Sequence, residues 1–359
     1  MITIHQGRLQ KVIAHMQELG LPQILVTNTA SVYYLTGLWV EPMERMMALL
    51  VCEDGACSLF GNALFGFTPG GDAALYVHTD ADDPLRDLTR VVRLGVLGID
   101  KTWPSKFLIQ LMAQRPDLTL RLGSAPVDLA RMCKDAEEIA ALRRASAIND
   151  AVMEASLDAI HAGATEAELA AEVERQYRLH GAQRPPEGII VSFGANCADP
   201  HHGPSNDVLQ PGDSMVFDIY TPVQQYWCDM TRTVFYQTAS EEQRRVYALV
   251  REANCAAEAA IRPGMQMCEI DAVARRVITE GGYGPQFTHR LGHGVGIDCH
   301  EPPDNSASDH TVARPGMVFS VEPGVYLPGK FGVRVEDLVL VTETGCEVLN
   351  KYTKEMQIR

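Results

Sequence analysis

The chain has 359 residues, a formal net charge of −15, and 46% hydrophobic and 21% charged residues. That length suits two domains, each with its own core. No apolar run approaches the roughly 20 residues that cross a bilayer, and a net negative charge opposes nucleic acid and anionic membranes, which are held by clustered Lys and Arg.

The opening MITIHQGRLQ lacks a secretory pattern, so the expected setting is the cytoplasm. Nine cysteines, an odd number with no CxxC pair, are expected to be reduced. The first predicted helix has its apolar spacing at Leu9, Val12, Ile13 and Met16 and stops at Gly20, before a buried strand QILVT. Further strands are predicted at RMMALLVC, ACSLFG, AALYVHT and RLGVLGID. These elements predict an α/β N-terminal domain, residues 1–127, with no nucleotide fingerprint. A long amphipathic helix, DAEEIAALRRASAINDAVMEASLDAI, then opens a second domain, residues 128–359.

The second half contains a repeat. Residues 159–181 align with 260–282 at a constant offset of 101, matching Ile160 with Ile261, Gly163 with Gly264, Glu168 with Glu269, Arg175 with Arg276 and Gly181 with Gly282. Such an offset marks a duplicated helix-then-strand unit. Past each copy a histidine follows, His201 and His300, 99 residues apart, predicted to face one another across a shared cleft.

Between the copies, SMVFDIY and YWCDMTRTVF predict a hairpin turning at TPVQQ. Asp218 and Asp229 lie inside its apolar arms, where an unpaired carboxylate costs several kcal/mol. A second hairpin is predicted in MVFSVEPGVYLPGKFGVRVEDLVLV, with Glu322 ending one arm and Arg334 and Glu336 sharing a face of the other. Asp218, Asp229, His293, Glu322 and Glu336 together exceed what one tetrahedral zinc uses, so two ions are expected. Carboxylates favour Mn²⁺, and one imidazole still admits Co²⁺, Fe²⁺ or Zn²⁺.

Asp218, then Asp229 with MTRT, HRLGHGVGIDCHEPP, VEPGVY and GVRVED, in that order, resemble the pita-bread metallopeptidases, especially the Xaa-Pro dipeptidase (prolidase) and aminopeptidase P branch. RLQKVIAHMQELGLPQILVTNTASVYYLTG is similar to that branch's smaller N-terminal domain. The resemblance implies an α+β architecture: a C-terminal pita-bread fold with a pseudo-two-fold repeat, preceded by the α/β domain. It also implies that Asp218 chelates one ion, that Asp229 and Glu336 bridge both, and that His293 and Glu322 complete the second. His201, His289, His300 and Arg334 match non-ligand positions. His300 and His201 would stabilise charge on the scissile carbonyl, His289 would line the substrate's C-terminal side, and Glu322 would relay a proton. Arg334 is expected to fork onto a dipeptide carboxylate, or else to orient Glu336.

The expected activity is hydrolysis of proline-containing dipeptides by a homodimer. The alternatives are aminopeptidase P action on longer peptides and a non-peptidase hydrolase or lyase on the same scaffold. Two points depart from the pattern. Tyr220 stands where many relatives have Gly, and His202 adjoins His201, which is chosen for its spacing to Asp218.

Overall fold

A computed structural model describes residues 1–182 and 188–359. The chain forms two compact units, Met1–Arg131 and Met132–Arg359. The expected boundary at 127 lies inside a helix, Ala125–Met132, and the division comes after Arg131.

The first unit runs α1 (Gln6–Leu19), β1 (Gln23–Val26), α2 (Thr29–Thr36), β2 (Ala48–Cys52), β3 (Cys57–Asn62), β4 (Ala74–His78), α3 (Leu88–Val91), β5 (Gly95–Ile99), α4 (Ser105–Gln114), β6 (Leu118–Leu122) and α5 (Ala125–Met132). Leu9, Val12, Ile13 and Met16 are buried along α1, and Gly20, at φ 63°, ends it in the left-handed conformation that glycine adopts without strain. The strands form one mixed sheet, ordered β4-β3-β2-β1-β5-β6. Its core includes Leu25, Leu50, Phe60, Leu97, Trp103 and Leu111. The strand that the sequence reading missed is β6, a half-exposed edge whose residues include Thr119 and Arg121. Its signal was present, since Leu118, Leu120 and Leu122 alternate with Thr119 and Arg121 in the period of a strand.

The second unit continues with α6 (Ala136–Asp158), α7 (Glu166–Leu179), β7 (Ile190–Phe193), β8 (Ser214–Val223), β9 (Tyr226–Phe235), α8 (Glu241–Ala260), α9 (Met267–Glu280), β10 (Gly292–Gly294), β11 (Glu301–Asn305), β12 (Val318–Val321), β13 (Gly324–Leu327), β14 (Phe331–Arg334), β15 (Asp337–Val341) and β16 (Cys346–Val348). Sequence and structure agree on the duplication: α7 and α9 are each 14 residues long, and both their ends differ by the offset of 101. Gly163 and Gly264 take φ of 81° and 93°, and Gly181 and Gly282 take 89° and 87°. Each copy also starts with a reciprocal cap, Thr165 with Glu168 and Gln266 with Glu269.

The strands β7-β8-β9 make one sheet, β11-β10-β12-β15-β16 another, and β13-β14 a third. The first hairpin is tighter than expected. Thr221, Pro222 and Val223 belong to β8, and the chain reverses at Gln224 and Gln225, both at positive φ. The second hairpin differs more, because its arms break at Glu322–Pro323 and at Val335–Glu336. Proline cannot donate to a ladder. At the breaks, Glu322 N–H donates to Leu291 O (2.8 Å), Glu336 N–H to Thr231 O (3.1 Å), and Asn254 Nδ2 to Val321 O (2.8 Å). Behind them the buried Arg232 donates to Glu336 O (2.7 Å), Asp337 Oδ1 (2.8 Å), Tyr352 O (2.7 Å) and Thr353 O (2.9 Å).

Glu166 breaks the symmetry of the repeat, since its counterpart at the offset of 101 is Met267. Its buried carboxylate accepts from Phe193 N (2.7 Å), Asn196 Nδ2 (3.0 Å), Ser205 N (2.9 Å) and Ser205 Oγ (2.7 Å), and meets His202 Nε2 at 2.9 Å. Burial opposes its charge, yet bonds from Asn196, Ser205 and His202 hold it below the usual carboxylate range. Its contribution is therefore present above the unfolded-state value of about 4.3 and is lost as pH falls through the lower folded value. Glu166→Gln replaces an acceptor by a donor among these donors. Urea unfolding at pH 7 is expected to show a loss of about 2 to 3 kcal/mol that narrows at pH 3.

Candidate active site

Asp218, Tyr220, Asp229 and Thr231 share one face of the β8–β9 hairpin, because Asp218 pairs with Thr231 and Tyr220 with Asp229 across the ladder. Glu322 and Glu336 occupy the two breaks of the second hairpin, and His293 is the middle residue of β10. These elements enclose a cavity of about 650 Å³. All nine residues singled out in the sequence line it: His201, Asp218, Asp229, His289, His293, His300, Glu322, Arg334 and Glu336.

At its floor, donor atoms of Asp229, His293 and Glu336 all lie within 4.8 Å of one another. His293 Nε2 is 3.7 Å from Asp229 Oδ2 and 3.5 Å from Glu322 Oε1. Its Nδ1 lies 3.2 Å from Gly294 O, so Nδ1 carries the proton and Nε2 turns its lone pair to the carboxylates. Burial, then His300, pushes the His293 pKa down to about 3, which keeps the ring neutral. The glycines of GHGVG are required by close approach: a Cβ on Gly292 would come within 2.1 Å of Ser320 O, and one on Gly294 within 2.4 Å of Glu301 O.

Burial and mutual repulsion push Asp229 and Glu336 well above the usual carboxylate range. Burial, with Asp218 acting in the same direction and Arg334 against, raises Glu322 to about 7. Asp218 Oδ1 is buried with no hydrogen-bond partner. Crowded anionic oxygens, an orphaned carboxylate oxygen and one neutral imidazole nitrogen fit a pair of divalent cations, and an oxygen-rich donor set suits hard ions.

Arg334 overturns the expectation of a free fork for substrate. It is 3% exposed, and its nitrogens are engaged by Asp218 Oδ2 (2.5 Å), Tyr326 Oη (3.0 Å), Pro200 O (3.2 Å) and Thr231 Oγ1 (3.0 Å). Thr231 Oγ1 in turn donates to Glu336 Oε2 (2.7 Å), so Arg334 reaches Glu336 through a hydroxyl and Asp218 directly. Thr231 and Tyr326 are the residues that sequence reasoning missed. The MTRT and VYLPG stretches place them beside the ligand candidates, and alternation along a strand was the available signal.

His289 is tethered at both nitrogens, Nδ1 to Arg290 O (2.6 Å) and Nε2 to Tyr326 Oη (2.8 Å), and burial with Arg334 pushes its pKa down to about 4. His300 stacks on His293 with ring centroids 3.8 Å apart, and its Nδ1 lies 3.5 Å from Arg290 Nη2. His201 lines the cavity, whereas its neighbour His202 bonds Glu166. Tyr220 donates its hydroxyl to Gly188 O and packs on Trp227, so it stands as a fixed wall opposite Asp229.

A model of the metallopeptidase family M24 matches residues 140–343, and one of the creatinase/prolidase N-terminal domain matches 8–133. The chain is similar to an Xaa-Pro dipeptidase of Lactobacillus helveticus, 35% identical over 93% of this chain and 94% of the other. It superposes on recombinant prolidase from Thermococcus sibiricus with a TM-score of 0.92, 32% identity and 99% of each chain covered. An X-Pro aminopeptidase from Thermotoga maritima superposes with a TM-score of 0.86 at 28% identity, covering 98% of this chain and 99% of that one. Among the described residues, no helix is long and apolar enough to cross a membrane.

The raised Glu322 has a consequence for the metal-free protein. Its folded value of about 7 exceeds the unfolded value of about 4.3, so its contribution is complete below the unfolded value and disappears as pH rises through 7. Melting of chelator-treated protein is expected at lower temperature at pH 8 than at pH 5. Saturating Mn²⁺ should remove or reverse that trend, because the ligands bind deprotonated.

Proposed function

Because the chain belongs to metallopeptidase family M24, we propose that it hydrolyses the Xaa-Pro bond of dipeptides with the help of two divalent ions, Mn²⁺ foremost. The observation that carries this reading is the convergence of Asp229, His293 and Glu336 in one cavity with Asp218, Glu322 and three further histidines. The full-length similarity to an Xaa-Pro dipeptidase supports the substrate class. A cytoplasmic homodimer is part of the same proposal.

Asp218, Asp229, His293, Glu322 and Glu336 would hold the ions. When bound, the ions supply Lewis acidity, polarising a carbonyl and making water nucleophilic near neutral pH. Glu322, at the cavity wall beside His293, takes the proton of the attacking water and returns it to the departing prolyl nitrogen. That nitrogen is tertiary in the peptide and carries no N–H, so its protonation is what releases proline. His300 and His201 donate to the carbonyl oxygen as charge develops there. Arg334 holds Asp218 and, through Thr231, Glu336 in place.

With Arg334 committed, Arg290 becomes the cation for a dipeptide carboxylate. It lines the same cavity, is 34% exposed at its side chain and pairs with Asp304. A chain extended beyond proline would place a neutral amide there.

Three measurements test this reading. Chelation should abolish cleavage of Ala-Pro, and Mn²⁺ or Co²⁺ should restore it; full activity in a sample shown by elemental analysis to be metal-free would refute the mechanism. Asp229→Asn should lower the content of both ions, whereas His300→Ala should keep them and lose about 10² to 10³ in kcat. Wild type should show a higher kcat/KM for Ala-Pro than for Ala-Pro-Ala-Ala, and Arg290→Ala should erase most of the difference. Equal or faster cleavage of the tetrapeptide by wild type would make the enzyme an aminopeptidase P.

A further inference from the structure

Among the described residues little holds the ring of His300 directly: the hydrogen bond to Arg290 spans 3.5 Å, and the ring lies at a 35° tilt against that of His293. Its position is inherited from the backbone turn between β10 and β11. Glu301, the next residue, is buried, and its carboxylate fills the inside of that turn. A Cβ on Gly296 would come within 2.5 Å of Glu301 Oε1, and Glu301 Oε2 accepts from Asp298 N at 3.4 Å.

A buried carboxylate needs a counter-charge. Lys134 provides it from 167 residues away, with Nζ 2.7 Å from Glu301 Oε1 and side chains 1% and 5% exposed. Lys134 is itself fixed, since its N–H donates to Gly316 O at 2.9 Å and Cys133 bridges Met317. The far side of the turn is held by Trp227, whose backbone N–H donates to Gly296 O and indole Nε1 to Ile297 O, both at 2.9 Å.

We propose that Lys134, through its buried ion pair with Glu301, is the positioning residue for His300, setting the imidazole where it meets the scissile carbonyl. Removing the ammonium takes away the cation 2.7 Å from the Glu301 carboxylate, and a shift of that carboxylate moves the residue before it. The inference rests on the proposed role of His300.

Lys134→Met alone strips a buried carboxylate of its ammonium partner and risks misfolding, so the informative variant is Lys134→Met with Glu301→Gln, which removes both charges at similar volume. Loaded with Mn²⁺, the paired variant is expected to keep wild-type metal content, melting temperature and KM for Ala-Pro while kcat falls, by up to about 10²-fold. In a His300→Gln background the same pair should lower kcat no further, and Lys134→Arg should retain most of the rate. Wild-type kcat in the paired variant, or an equal loss in the His300→Gln background, would overturn the inference. Crystal structures of the wild type and the paired variant decide it independently of turnover: displacement of the His300 ring from His293 supports it, and an unmoved ring refutes it. Absence of Xaa-Pro hydrolysis by the wild type would refute the proposed function alone.

Discussion

Asp229 and Glu336 are 4% and 2% exposed, with donor atoms within 4.8 Å of each other and of His293, and Asp218 and Glu322 line the same floor. Two like charges about 4 Å apart repel by about 4 kcal/mol at an effective dielectric of about 20. One guanidinium, Arg334, is buried among four carboxylates and cannot neutralise them all. Burial, reinforced by this repulsion, raises the Asp229 and Glu336 carboxyls, while burial and the neighbouring His300 keep His293 neutral despite the carboxylates around it. The repulsion also explains why so much of the surrounding framework is rigid: groups that repel stay together only on strands that have no freedom to part.

Two devices supply that rigidity. The duplicated helix pairs present the sheets to one another, so that the hairpin bearing Asp218 and Asp229 comes from one half and the strands bearing His293, Glu322 and Glu336 from the other. At the seam, backbone groups freed by the breaks at Glu322 and Glu336 are taken up by Leu291, Thr231 and Asn254. At Glu336 the backbone is held on both sides, its N–H by Thr231 O and its carbonyl by Arg232.

Much of this was legible in the sequence because it rests on pattern. The offset of 101 was visible as matched glycines, since Gly163 and Gly264 both need positive φ. Buried carboxylates betrayed themselves as Asp218 and Asp229 inside apolar runs, and spacing separated His201 from His202. What pattern could not show was partner choice. Arg334 and Glu336 alternate correctly on a strand, yet only the folded chain shows that the guanidinium, at the cavity wall, is engaged by Asp218 and Tyr326. The breaks in the second hairpin were equally hidden, because VEPGVY and VRVED each read as continuous apolar arms until Pro323 is weighed as a ladder terminator. β6 is short and at an edge, and its alternating Leu118, Leu120 and Leu122 were a legible strand signal that went unused.

Arg232 ties the floor of the cavity to the last part of the chain. It follows Thr231, which holds Glu336, and two of its acceptors are the carbonyls of Tyr352 and Thr353; nearby, Phe235 pairs with Ile358. One guanidinium therefore couples two segments more than a hundred positions apart: loosening residues 352–353 withdraws acceptors from the same side chain that holds the Glu336 carbonyl, so the cavity floor is sensitive to substitutions far from it in sequence.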